Sequence, residues 1–216
     1  MNEAYKKIAI TDKSIQHLIK HDKRLAKVIT TVGEIECRTH DDPYAFIVME
    51  IVGQMLSNKV AAVISTRLRE LCTGTIVPEV IGTLTLEDLR SIGLSMAKCE
   101  YIKAFTDAVL NESIDFNELA NLPDGEVIRR LTAIRGIGKW TAKMYLIFVL
   151  QREDVLPIED GAFMQGYKWL YKTQDVLPQT VSKKCRKWKP YSSIAARYLY
   201  RAVDLGLIKT EFHLYK

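Results

Sequence analysis

Three groups of residues in this chain have types and spacings suited to chemistry. The first is Gly136-Ile137-Gly138, inside the run Leu131-Thr-Ala-Ile-Arg-Gly-Ile-Gly-Lys-Trp-Thr-Ala142. Two glycines at this spacing let the backbone turn tightly and come close to a neighbour. A helix starting near Lys139 would then present unpaired N–H groups and the positive end of its dipole, which together attract a phosphate. Ile137 is apolar and can plug the turn into a core. An ordinary αα-hairpin with a glycine turn is the alternative, but the flanking apolar positions and Thr141-Ala142 make the pattern more demanding than a bare glycine pair. A phosphate held this way positions a nucleic-acid backbone without reading its sequence. The second group is a set of carboxylates, Asp154, Glu159 and Asp160, around Val155-Leu-Pro-Ile158. Taken alone, Asp160 reads as the N-cap of a helix over 161–170. The third is the basic cluster Lys183, Lys184, Arg186, Lys187 and Lys189, in a chain of net charge +5. It is either a solvated helix face or a patch facing phosphates.

The elements that must position these residues are helices. Asp42-Pro43 is a start signal, with Pro43 in the first turn of a helix reaching about Leu56. That helix carries Phe46, Ile47 and Ile51 and is apolar on most sides, as a central buried helix should be. Ser57 caps the next, which runs through Val60, Val63, Ile64 and Leu68 to Leu71. Thr85 to Asp88 has capping-box spacing, and Ser95 caps a helix from Lys98 to Val109. Pro123-Asp124 opens the first hairpin helix, Glu126 to Ile134, and the second runs from Lys139 to Leu150. Asp154 to Ile158 reads as extended, with further helices from about Asp160 and from Ser192. Alternating strand patterns are nearly absent. The expected fold class is all-α, built from short helices packed in one or two bundles.

Composition bounds the function. With 216 residues and 48% hydrophobic content, a substantial core can form. No apolar run is long enough to span a membrane, and Met1 to Lys20 lacks the uninterrupted apolar core of a secretory leader. Cys37, Cys72, Cys99 and Cys185 lie far apart, which, without an export signal, reads as reduced thiols in the cytoplasm. Zinc sites and iron–sulfur clusters need closely spaced thiolates, so the chemistry is expected to need no cofactor and no iron–sulfur cluster. His17, His21, His40 and His213 lie outside the motifs and read as surface or structural.

The hairpin run resembles the helix-hairpin-helix of the DNA glycosylase superfamily, in its 3-methyladenine DNA glycosylase II (alkylpurine) branch. Val155-Leu-Pro-Ile-Glu-Asp160-Gly-Ala matches the stretch that carries the family's essential aspartate. Trp188-Lys-Pro-Tyr-Ser-Ser-Ile-Ala-Ala-Arg-Tyr-Leu-Tyr200 is similar to a signature of the alkylpurine branch. Asp42 to Ser57 resembles the family's helix with its Gln-x-x-Ser turn. The likeness covers about Asp42 to Tyr200. It departs at Arg135, where the family usually has Pro, and at Ser192, where Arg is common.

The resemblance implies a monofunctional glycosylase that removes alkylated purines from double-stranded DNA by flipping the damaged base out. Asp160 would be catalytic, stabilising positive charge on the sugar and orienting water. The amides of Gly136, Gly138 and Thr141, with Lys139, would hold the DNA backbone. Met55 would fill the gap left by the base, with Gln54 beside it and either able to serve. Trp140 and Tyr200 would line an aromatic base pocket. Relatives that also cut the strand carry a lysine where this chain has Trp140, and an indole cannot form a Schiff base. The backbone carbonyls of Thr132, Ile134 and Ile137 occupy the positions of the family's Na+ or K+ site. The implied domains are a central one over 42–135 and a second formed by 1–41 and 136–216. The hairpin, about 126–150, lies at their junction, with the active site in the cleft, and the protein would act as a monomer. The alternatives are a glycosylase for another lesion (hypoxanthine, uracil or oxidised guanine) and a helix-hairpin-helix DNA-binding protein without chemistry.

Overall fold

The computed structural model describes residues 4–214. Its elements in order are β1 (Ala4–Ile8), α1 (Lys13–His21), α2 (Lys23–Val32), β2 (Ile35–Thr39), α3 (Pro43–Gly53), α4 (Asn58–Leu71), α5 (Pro78–Thr83), α6 (Leu86–Ser91), α7 (Met96–Leu110), α8 (Phe116–Asn121), α9 (Asp124–Thr132), α10 (Lys139–Phe148), α11 (Gly161–Tyr171), α12 (Pro178–Cys185) and α13 (Ser192–Asp204). Short 3-10 turns follow α12 and α13, at Arg186–Trp188 and Leu207–Lys209. The class is all-α, as expected.

The chain divides into two compact units, His40–Leu150 and the two ends, Met1–Thr39 with Gln151–Lys216. The second boundary expected from sequence, 135/136, therefore moves to 150/151. The physical reason is that α10 packs on both α9 and α3, burying Ala142, Met144, Leu146 and Ile147 within the central unit. The hairpin thus belongs wholly to that unit. Its middle is α3, whose residues Tyr44 to Val48, Ile51 and Val52 are all buried, so the helix has no solvent face in its first turns. The expected caps form: Asp42 accepts from the Ala45 N–H, Ser57 from Val60, Ser95 from Lys98, and Thr85 with Asp88 makes a complete capping box. One helix differs. Val60 and Val63, expected on the apolar side of α4, are 45% and 46% exposed, so only Ile64 and Leu68 of that helix reach the core.

The unit made from both ends is also helical, with one addition that sequence did not suggest. β1 and β2 pair antiparallel, with Ile8 opposite Ile35 and Lys6 opposite Cys37. Each strand has five residues, too few for alternation to stand out against helical spacing. The pair is held because Ile8, Ile35 and Cys37 face the same core as α1, α2, α11 and α13. Trp188, Tyr167, Tyr198, Phe163 and Leu170 fill the middle of that core. Gly166 of α11 lies so close to α13 that a Cβ there would stand 2.9 Å from the Leu199 Cβ.

Candidate functional site

In the central unit, α9 ends at Thr132 and α10 starts at Lys139, with Gly136 at φ +92°. That region of backbone space is open to glycine and costly to other residues. The reason for the turn's tightness lies beneath it, on α7. A Cβ at Gly136 would fall 2.1 Å from Cγ of Tyr101. Arg135, which replaces the expected proline, lies over the same ring at 5.6 Å and pairs with Glu100 at 3.0 Å. The α7 contacts therefore do for this turn what a proline would do by its own stiffness. Ile137 is buried, as expected of the plug, and its N–H donates to the Ile134 carbonyl at 3.1 Å. Gly138 is the N-cap of α10 and offers no side-chain acceptor. The N–H groups of the first turn, Lys139 to Thr141, have no carbonyl to meet within the helix. Gly138 and Lys139 are exposed, whereas the Thr141 side chain is buried.

At the end of α3 the chain makes a turn that sequence did not foretell in detail. Gln54 has φ −49° and ψ 129°, Met55 has φ 57°, and the Leu56 N–H donates to the Gly53 carbonyl at 3.1 Å. This is a type II turn with Met55 at the third position, normally a glycine place. Met55 is also the most exposed large apolar side chain among the described residues, at 101%. A strained, fully exposed methionine is not what packing alone selects. Gln54 is engaged elsewhere, for its Nε2 donates to the Gly136 carbonyl at 3.0 Å. Lys98 of α7 donates to the carbonyls of Val52 at 2.8 Å and Gln54 at 2.7 Å. Burial lowers the pKa of its ammonium group.

In the other unit, Asp160 is the N-cap of α11, its Oδ1 accepting from the Phe163 N–H at 2.7 Å. Its carboxyl is half-buried, less enclosed than a fully desolvated anion. The segment leading to it is fixed at its start. Ser193 donates its N–H to the Glu153 carbonyl at 2.9 Å, and its Oγ accepts from the Val155 N–H at 2.9 Å. A turn then brings the Asp160 N–H to the Pro157 carbonyl at 3.0 Å. The rival carboxylates have other surroundings. Asp154 accepts from the Ser192 hydroxyl at 2.5 Å and sits 3.6 Å from Lys189, so Ser192 has a structural task where the family often has Arg. Glu159 is exposed.

Trp140, on the first turn of α10, and Tyr200, on α13, are both half-buried rather than sealed in a core. Part of the basic cluster turns out to be structural. Lys187 reaches Asp22 at 3.1 Å, and Lys184 and Lys187 both lie over the Tyr171 ring at about 5 Å. Asp22 is 2% exposed and also accepts from Trp188 Nε1 at 2.8 Å and from the Tyr171 hydroxyl. Burial pushes its carboxyl pKa up, but the hydrogen bonds from Tyr171 and Trp188 and the charge of Lys187 outweigh it, so the pKa is lowered overall. All four cysteines are buried free thiols, and burial lifts Cys185 to about 12. Among the described residues no group of three His, Cys, Asp or Glu could hold a metal ion, and no helix is long and apolar enough to cross a membrane.

A glycine hairpin aimed by a central buried helix, and a capping aspartate after a pinned Pro-containing segment, define a helix-hairpin-helix protein of the base-excision class. Residues 48–190 match the model of the HhH-GPD superfamily base excision DNA repair protein, and the chain belongs to that family. It is 31% identical over 188 residues to DNA-3-methyladenine glycosylase 1 of Schizosaccharomyces pombe, covering 85% of this chain and 82% of the relative. Its fold is similar to the crystal structure of a DNA-3-methyladenine glycosidase from Bacillus halodurans, with TM-score 0.86, 33% identity and 97% of each chain covered. It is also similar to a 3-methyladenine DNA glycosylase of S. pombe in complex with abasic DNA, with TM-score 0.80, 28% identity and coverage of 95% and 100%.

Proposed function

We propose that this protein is a DNA glycosylase of base excision repair that hydrolyses the N-glycosidic bond of alkylated purines, 3-methyladenine and 7-methylguanine, and leaves the strand intact. The observation that supports this best is Asp160: a half-buried carboxylate on a segment anchored by Ser193, with Asp154 committed to Ser192 and Lys189. A purely DNA-binding hairpin protein has no need of such a group.

The hairpin amides of Gly136, Gly138 and Thr141, with Lys139, hold phosphates of duplex DNA containing the damaged base. The damaged nucleotide leaves the stack, because its glycosidic bond is otherwise out of reach. Met55 enters the gap, since the Gln54 amide is occupied by the Gly136 carbonyl. Trp140 and Tyr200 are the aromatic groups suited to the base, and an electron-rich face favours a methylated, positively charged purine. The bond between sugar and base breaks with its electron pair going to the base, which departs neutral. The Asp160 carboxylate stabilises the positive charge left on the sugar, orients a water toward C1′ and accepts its proton. By its resemblance to the family, Trp140 falls where strand-cutting members carry a lysine, and an indole cannot form a Schiff base. Lys139, one residue away, points about 100° around the helix.

The carbonyls of Thr132, Ile134 and Ile137 fit a Na+ or K+ ion in kind, being neutral oxygens at the last residue of α9 and in the turn that leads to α10. The Ile134 oxygen that accepts from Ile137 keeps a second lone pair. The ion would tie the hairpin to the DNA backbone, and neither it nor an iron–sulfur cluster takes part in the chemistry. The protein works as a monomer.

Incubation with dimethyl-sulfate-treated DNA, followed by chromatography of released bases, tests this. Release of 3-methyladenine and 7-methylguanine with unbroken strands is expected. Release only from duplexes bearing hypoxanthine, uracil or oxidised guanine would replace the substrate. DNA binding with no release from any lesion would replace the reaction.

A further inference from the structure

The turn that exposes Met55 holds that residue at φ 57°, where a non-glycine residue pays a steric cost. A type I turn would avoid the cost. It differs from type II by a flip of the central peptide, which swings the second residue's carbonyl to the opposite side and returns the third residue to negative φ. Here the central peptide joins Gln54 to Met55, and the carbonyl in question is that of Gln54. That carbonyl receives a charge-assisted hydrogen bond of 2.7 Å from Lys98, whose ammonium also holds the Val52 carbonyl at 2.8 Å. A flip would break the bond to Gln54 and leave the cation with only one of these two partners.

We infer that Lys98 is a positioning residue: its ammonium locks the Gln54–Met55 peptide in the type II orientation and so keeps the Met55 side chain projecting from the turn. This rests on the reading of Met55 as the side chain that fills the gap in DNA. Lys98 also sets where that projection occurs. It shares a face of α7 with Tyr101, three residues on, and Tyr101 is the ring against which Gly136 is pressed. Gln54 closes the loop by donating to the Gly136 carbonyl. One face of α7 therefore fixes both the wedge turn and the phosphate-gripping turn, and fixes the interval between them. Neither turn specifies that interval by itself.

The test uses the full chain with a duplex holding a tetrahydrofuran abasic analogue and 2-aminopurine as the adjacent base. This probe reports entry into the gap whatever the natural lesion. Wild type, Lys98→Met, Lys98→Arg, Met55→Ala and the double variant Met55→Ala/Lys98→Met are compared for affinity and fluorescence change. Lys98→Met is expected to bind about tenfold more weakly with a reduced fluorescence change, the scale of losing a strained backbone conformation. Lys98→Arg should recover most of both. In the Met55→Ala background, Lys98→Met should cost almost nothing further. An equal loss in both backgrounds, or an unchanged fluorescence response in Lys98→Met, would overturn the role of Lys98 while leaving the wedge in place. A Met55→Ala protein indistinguishable from wild type would instead remove the wedge reading, and the inference with it. If Lys98→Met does not fold, Lys98→Gln, which keeps a donor but loses the charge and the reach to both carbonyls, is judged by the same comparison.

Discussion

Replacing Gly136 by alanine tests how the glycine turn of the hairpin is built, and its cost can be worked from two independent sources. The first is backbone strain. Gly136 has φ +92°, and a residue with a Cβ held there costs about 1–3 kcal/mol. The second is overlap. The added Cβ would lie 2.1, 2.4 and 2.5 Å from Cγ, Cβ and Cδ2 of Tyr101, where carbon atoms at rest sit roughly 3.5–4.0 Å apart. Rotating the tyrosine cannot clear it, because the Tyr101 Cβ itself is in the way. The turn or α7 must shift by about an ångström, a further cost of about 1–3 kcal/mol as in other overpacked sites. The total of about 2–6 kcal/mol corresponds to a fall in Tm of roughly 5–20 °C for a chain of this size. Thermal unfolding followed by circular dichroism reads it, together with affinity for undamaged duplex DNA. The informative comparison is a double-mutant cycle with Tyr101→Ala. Removing the ring relieves the overlap with Cγ and Cδ2 but leaves the close approach to the Tyr101 Cβ and the positive φ, so Gly136→Ala should cost less in the Tyr101→Ala background by only part of the overlap cost of about 1–3 kcal/mol. If Gly136→Ala changes Tm by less than about 2 °C, or costs the same with and without the Tyr101 ring, the turn is not held as described.

Three further outcomes are expected. Asp160→Asn keeps a capping side chain on α11, so Tm should change little while single-turnover base release falls at least about 100-fold; release within about tenfold of wild type would remove the catalytic role. Asp22→Asn should lower stability at pH 7 by about 1–3 kcal/mol, because Tyr171 and Trp188 lose an ionised acceptor and the part-exposed Lys187 loses its partner. The folded-state pKa of Asp22 is depressed, so its contribution is present above the unfolded value of about 3.9 and is lost as pH falls through the folded value. Urea titrations from pH 5 to pH 2 should therefore show a steeper loss in wild type than in the variant, and parallel curves would contradict this. Lys139→Ala should weaken binding to damaged and undamaged duplexes alike and reduce the slope of log affinity against log salt by about one; an unchanged slope would show that Lys139 does not meet a phosphate.

Much of the candidate site was legible because it depends on residues close together in the chain. Helix starts follow from caps that bond to N–H groups two or three positions on, as at Asp42, Ser57, Thr85, Ser95 and Asp160. The glycine turn follows from the freedom of two residues, and α3 as a central helix from apolar residues on every side. By contrast, β1 and β2 pair across 27 or more positions, and their five-residue patterns are too short to be told from helical spacing. The division of the chain after Leu150 rather than before Gly136 follows from what α10 packs against, which local patterns do not encode.

Residue type and spacing alone were enough to read a helical protein with a glycine hairpin and a carboxylate after a Pro-containing stretch, since each is a local arrangement. Which long-range partners hold those pieces follows from how the helices pack. Tyr101 and Arg135 brace the turn where a proline was expected, Lys98 and Gly136 take up the carbonyl and amide of Gln54, and Ser192 and Ser193 secure the segment that ends in Asp160. The partner pairs lie about 35 to 80 positions apart, and a contact at that range depends on how whole helices pack, which no short window of sequence specifies.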